Sequence, residues 1–274
     1  MKGRILRFGQ FYPRGVAKLI IYLVRLGIGH GPIKKLYAKI LSLVNKKKPL
    51  DILYHGVRFR LFPHNNTIES KMLVSSRLRE TEELFILQAY LNTDSIFVDI
   101  GANIGYYSLM VTKNTGSKVL AFEPNPEVFN RFKTNIELND FTKTIKLFPI
   151  GIGDAEKEIE LRLSTQDMGS SSLVNKNLSG QTIKIKMMKL HTVLKKERVA
   201  RIDVLKIDIE GFEDKALFPY FKSIKKINYP KLIVMEDSSQ KDWDENILGW
   251  LVTKHYDILL RTRGNILLTL KKFS

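Results

Sequence analysis

An α/β fold is what the sequence predicts: a mixed, mostly parallel, doubly wound sheet closed by an antiparallel hairpin and preceded by a basic helical extension. Three observations lead there. Between residues 95 and 150, short apolar runs of strand length alternate with amphipathic helical stretches, the pattern of β-α-β units. A glycine-rich turn joins the first of these runs to its helix. Near the end, residues 256–260 and 265–270 flank Arg263-Gly264 and read as a hairpin.

The elements follow in order. Helices are expected over 16–26 and 33–44, divided by Gly27, Gly29 and Gly31. Lys46-Lys47-Lys48-Pro49 reads as a linker. Residues 52–63 form a small hairpin turning at His55-Gly56, and 80–91 an amphipathic helix carrying Leu84, Ile86, Leu87 and Leu91. Residues 96–100 are almost wholly apolar, as in a strand buried on both faces. A helix over 104–114 and a strand over 119–122 come next. Asn125 and Pro126 then offer a cap and a first-turn proline for a helix bearing Phe129, Phe132 and Ile136. A strand over 145–150 follows, after which the regularity lapses: residues 158–163 and 182–188 look like paired strands around a polar loop containing Gly169-Ser170-Ser171-Ser172, and strands over 204–207 and 232–235 then resume the sheet. Helices are expected over 212–222 and 243–253. Three regions result: 1–50 as the basic extension, 51–94 as a lead-in, and 95–274 as the core.

The chain has 274 residues, no cysteine and five histidines without metal-site spacing. Disulfides, thiolate metal sites and a cysteine nucleophile are thereby excluded. Its formal net charge is +17, and residues 1–48 hold twelve Lys/Arg and no acid. Such asymmetry points to an anionic partner: a lipid surface, a nucleic acid or an acidic glycan. The longest apolar run near the start, residues 19–24, ends at Arg25 and is too short to span a bilayer.

The turn Asp99-Ile100-Gly101-Ala102-Asn103-Ile104-Gly105 has the place of a dinucleotide fingerprint but not its spacing. Asn103 stands where the second glycine would be, and the last glycine comes one residue early. A pyrophosphate would meet a side chain there. A carboxylate at Asp99 would also repel it, yet suits a cationic ligand. Glu123, closing the next strand, is placed to accept both hydroxyls of a ribose. S-adenosylmethionine, with its ammonium, sulfonium and ribose, meets all three conditions. The expected cofactor residues are Asp99, Gly101, Ala102, Asn103, Gly105, Glu123 and Pro124.

The segments 99–105, Phe122-Glu123-Pro124-Asn125-Pro126, and Leu205-Lys206-Ile207-Asp208-Ile209-Glu210-Gly211-Phe212-Glu213 together resemble the signature segments of the FkbM-type methyltransferases, over roughly residues 80–270. The resemblance implies a Rossmann-like class I methyltransferase core and O-methylation of a hydroxyl on a glycan or related natural product. Residues 1–50 have no counterpart in that pattern, and His191-Thr192-Val193-Leu194 stands where many relatives carry an acid.

Methyl transfer to a hydroxyl needs alignment and a proton acceptor. Asp208, ending the fourth strand, is the first candidate, followed by Glu210 and then by Glu236, ending the fifth strand, with His191 as the other conceivable base. Asp208 with Glu236 could alternatively hold a divalent ion, although no metal is expected from the sequence. Glu210 and Glu213 have a purely structural alternative as first-turn acids of the next helix. An RNA methyltransferase is the rival enzyme, disfavoured by the lack of an Asn/Asp-Pro-Pro-aromatic tetrad and of an RNA-binding module. A non-catalytic cofactor-binding or membrane-associated adaptor is the rival class. The expected partners are a small-molecule or glycan acceptor, including one carried on lipid, and a membrane surface met by residues 1–48. The expected location is the cytoplasm, including the inner face of a membrane.

Overall fold

The computed structural model describes residues 7–28, 31–44, 48–75, 80–164, 171–172 and 181–271. Helices α1 (Gly15–Arg25) and α2 (Pro32–Val44) pack on each other. Ala17, Ile20, Ile21 and Val24 recur at helical spacing and are buried. With Leu41 of α2 they join one apolar cluster that includes Phe59, Phe97 and Leu109. The basic extension is therefore packed on the core through one face. Gly29 and Lys46-Lys47 lie outside the described residues.

Strands β1 (Leu50–Tyr54) and β2 (Val57–Leu61) form the expected hairpin. His55 and Gly56 both take positive φ, the requirement of a tight two-residue turn. Asp51, the first acid in the chain, is wholly buried here. It takes hydrogen bonds from Arg60 Nε at 2.8 Å and Nη2 at 3.0 Å, and from the backbone N–H of Gly9 and Phe11. That carboxylate ties the start of the chain to the hairpin. Helix α3 (Thr67–Leu73) occupies a stretch where no element is expected from the sequence. Asn66 caps it, accepting from Glu69 N at 3.0 Å, so the Asn-x-x-Glu spacing carried a capping signal. Helix α4 (Thr81–Ala89) follows.

The core then runs β3 (Ile96–Ile100), α5 (Tyr106–Thr115), β4 (Lys118–Phe122), α6 (Pro126–Leu138) and β5 (Ile145–Phe148). Asn125 caps α6 and Pro126 opens it, as the sequence predicts. Next come β6 (Gly151–Ile152), β7 (Lys157–Leu163), β8 (Ser171–Ser172), β9 (Thr182–Met188), α7 (Leu190–Lys196), β10 (Val204–Ile207), α8 (Glu213–Ser223), β11 (Leu232–Glu236), α9 (Ile247–Thr253), β12 (Tyr256–Arg261) and β13 (Asn265–Leu270). The main sheet has the order β12-β13-β11-β10-β3-β4-β5. Strands β5, β4, β3, β10 and β11 are parallel, and β13 runs antiparallel between β11 and β12. The strand order reverses between β3 and β10, the switch point where such sheets bind ligands. There the register sets Lys206 opposite Asp99.

Three expectations are corrected. The third core strand stops at Phe148, and β6 leaves it for a second sheet of order β6-β9-β7-β8. Residues 158–163 and 182–188 pair antiparallel as predicted, within that second sheet. Residues 190–196 form a helix that the sequence does not predict. The helix expected over 243–253 begins only at Ile247, where Asn246 accepts from Gly249 N at 2.8 Å, and Trp243 is used elsewhere. Most of the loop around Gly169-Ser170 lies outside the described residues. No described helix is long and apolar enough to cross a membrane.

Candidate active site

A cleft of about 270 Å³ opens over the carboxyl ends of β3, β4 and β10. Its floor is the Gly101–Asn103 turn, and its walls include Glu123, Pro124, Lys206, Asp208 and Glu210. Thr67, Ile68 and Lys71 of α3 close one side, while Leu161 and Ile185 of the second sheet and Ile150 and Ile152 supply apolar surface.

The floor depends on glycine. Gly101 has φ +74°, and a Cβ there would stand 1.9 Å from the Asp208 carbonyl oxygen. The turn after β3 and the loop after β10 thus touch backbone to backbone, which fixes the cleft. Gly105 serves packing instead. A Cβ there would meet the Phe132 ring at 2.0 Å, so the glycine lets α5 start against α6, and it does not line the cleft. Asn103 sits at φ +51° and its Oδ1 accepts from Ile104 N and from Asn66 Nδ2.

Glu123 is buried at the end of β4. Its Oε2 accepts from Asn103 N and its Oε1 from Asn125 N, each at 2.9 Å. Burial pushes its carboxyl up to about 7, against the opposing pull of the two N–H donors. Each oxygen keeps acceptor capacity beyond these bonds. A vicinal diol in the cleft could therefore meet a carboxylate whose orientation is already fixed.

Asp99 is corrected in its role. It is wholly buried and does not line the cleft. Ser108 Oγ donates to its Oδ2 at 2.7 Å, and Lys206 Nζ lies 3.5 Å from its Oδ1. Burial pushes the Asp99 carboxyl up, with Lys206 and Ser108 opposing. The group that reaches the cleft at this point is Lys206, whose Nζ also lies 3.6 Å from Asp208 Oδ2 and donates to the Gly101 carbonyl at 3.3 Å. Burial disfavours its charge, but Asp208 and Asp99 outweigh that and hold the ammonium above the ordinary lysine value. Lys206 is thus a cation and not a base.

Asp208 is 39% exposed in the cleft wall, and Glu210 stands beside it at φ +56°. Glu213 organises their loop: its carboxylate accepts from Ile209 N at 2.9 Å, Gly211 N at 3.1 Å and Trp243 Nε1 at 2.7 Å. Glu236 does not line the cleft. Burial, then the nearby Asp208 and Glu213, push its carboxyl up to about 8, and it accepts from the Ser238 and Ser239 hydroxyls. His191 stands on α7, away from the cleft lining.

The structure therefore brings Gly101, Ala102, Asn103, Glu123, Pro124, Asp208 and Glu210 to one cleft, and leaves Asp99, Gly105 and His191 outside its lining. Sequence reasoning missed Lys206, although a single lysine in the buried run 204–207 was a signal, since such a charge must find partners. It also missed Thr67, Ile68 and Lys71, which arrive on the unforeseen α3.

The sheet order, with its antiparallel β13 and its cleft at the switch point, is that of the class I methyltransferase fold. The chain belongs to the FkbM methyltransferase family: the family's domain, described as "Methyltransferase FkbM domain", matches residues 99–266, more than half of the chain. It is 28% identical over 156 residues to Methyltransferase 1 of Beauveria bassiana, covering 48% of this chain and 62% of that protein. To the hexuronic acid methyltransferase AglP of Haloferax volcanii it is 23% identical over 150 residues, covering 55% of this chain and 60% of that protein. Each match thus spans less than two thirds of the relative's length. A crystal structure of methyltransferase FkbM from Methylobacillus flagellatus is similar with a TM-score of 0.49 and 15% identity, over 92% of this chain and 58% of that one.

Proposed function

We propose that the protein transfers a methyl group from S-adenosylmethionine to a hydroxyl oxygen of a glycan or related natural product. The observation that carries this reading is Glu123, held by two backbone N–H groups at the cleft wall beside the side-chain-free Gly101. A bidentate carboxylate of this kind suits the ribose hydroxyls. The cleft's charge supports the same donor. Glu80, Glu123, Asp208 and Glu210 face Lys71 and Lys206 there, an acidic excess within a chain of net charge +17. A sulfonium and an ammonium are favoured by such a site, and a pyrophosphate is not. Ile150, Ile152 and Leu161 offer the apolar contact a purine needs.

When bound, the donor supplies an electrophilic methyl carbon. The chain's own residues then have to orient the acceptor and take its proton. Asp208 accepts the hydroxyl's hydrogen bond and removes the proton, and Lys206, locked between Asp99 and Asp208, holds that carboxylate in place. Glu210 is the second candidate for the proton. A glycan as acceptor draws support from the name of the Haloferax relative, a hexuronic acid methyltransferase. The test is transfer of labelled methyl from S-adenosylmethionine into separate glycan, lipid and RNA extracts. The expected label is in glycan and survives mild alkali, as a methyl ether does. Label released by alkali as methanol would mean esterification of a carboxyl group, and label in RNA would replace the glycan reading.

A further inference from the structure

The face of α1 turned away from the core is apolar. Val16, Leu19, Tyr22 and Leu26 stand on it, opposite the buried Ala17, Ile20, Ile21 and Val24, with Leu19 56% and Tyr22 59% exposed. On α2, Leu36 is 55% and Leu43 69% exposed, and Ile33 is exposed as well. A helix on a water-facing surface ordinarily places polar residues there, and apolar patches of this kind mark contact sites. The polar residues that do occur are basic. Lys18 and Arg25 stand two turns apart on one flank of α1, Arg25 Nη2 also donating to the Leu53 carbonyl, and Lys35 and Lys39 lie one turn apart on α2.

We propose that the outer face of α1 and α2 docks on an anionic lipid bilayer, with its leucines at the acyl boundary and its lysines among the headgroups. The charge selects this occupant. A second copy of the chain, meeting the same face across a two-fold axis, would set these lysines against their own copies, and residues 1–48 contain no acid to pair with them. A nucleic acid would engage the lysines but leave Leu19, Tyr22, Leu36 and Leu43 without apolar surface to bury against. The docked face is joined to the cleft through packed elements: α2 touches α3, and α3 supplies Thr67, Ile68 and Lys71 to the cleft wall.

The experiment is flotation of the full chain with vesicles of phosphatidylcholine and phosphatidylglycerol, beside vesicles of phosphatidylcholine alone. The protein floats with the anionic vesicles at low salt, sinks progressively as salt rises, and does not float with the neutral ones. Leu19→Glu/Leu36→Glu lowers the partition coefficient by on the order of a hundredfold, because both side chains lose their apolar contact. Lys35→Gln/Lys39→Gln lowers it by about tenfold or more. All four side chains project to solvent, so circular dichroism and the thermal transition stay unchanged in both variants. Failure of the full chain to float with anionic vesicles at low salt overturns the proposal. So does equal flotation of folded variants, or dimerisation or retardation of an RNA hairpin that the same variants abolish without any flotation of the parent.

Discussion

Asp208→Asn is expected to lower turnover by about 10²–10⁴ and to weaken S-adenosylmethionine binding much less. Asparagine keeps the shape of the side chain but cannot take a proton. Asp208 has the position for that role: it lines the cleft, 39% exposed, where its neighbour Gly101 brings the two backbones together. The substitution leaves Lys206 with its other partner, Asp99, so the buried pair survives and the fold is retained. Steady-state transfer of labelled methyl, with calorimetry for the donor, separates the two effects. Near-wild-type turnover would give Asp208 an orienting role only and shift the proton to Glu210.

Lys206→Met is expected to destabilise the protein by about 3–5 kcal/mol, the range for breaking a buried ion pair from one side. The reason is Asp99, which is wholly buried and would keep only the Ser108 hydrogen bond. A carboxyl raised by burial is more readily protonated in the folded than in the unfolded chain. Its contribution to stability is therefore lost as pH rises from the unfolded value through the raised one. Without Lys206 the carboxyl rises further, so the deficit is largest at alkaline pH and shrinks on acidification. Urea titrations across that range measure this directly. Asp99→Asn added to Lys206→Met should recover part of the loss. A deficit under about 1 kcal/mol, independent of pH, would mean that the pair does not hold the switch point together.

The parallel core was legible because each of its elements carries a local signal. The apolar run of β3, the Asn125-Pro126 start of α6 and the turn residues of the last hairpin all act within a few positions of one another. The insertion of β13 between β11 and β12 was not legible, because either strand of that hairpin has the composition to pair with β11. Nor was the addition of β6 to the predicted pair of β7 and β9, since β6 and β9 come together across roughly 30 residues of intervening chain. Residues lining the cleft could be named from the turn and the strand ends, but their division of labour could not. Asp99 looked like a ligand-facing acid because its position at a strand end is the same whether it meets ligand or lysine. Only the register that sets it opposite Lys206 distinguishes the two. The first helix of the extension shows the same ambiguity: its sequence is apolar on two sides, and the structure decides that Ile20 and Val24 face inward and Leu19 and Tyr22 outward.

The central claim is that Glu123 holds the ribose of S-adenosylmethionine, and calorimetric titration with wild type and Glu123→Ala tests it most directly. The wild type should bind the donor at pH 8, with affinity falling as pH drops through about 7. The sign follows from the carboxyl, raised to about 7, which accepts both hydroxyls only when ionised. Glu123→Ala should bind more weakly by about 1.5–3 kcal/mol at pH 8 and lose that pH dependence, and NAD should give no heat with either protein. A folded Glu123→Ala variant with unchanged affinity and an unchanged pH profile would contradict the account.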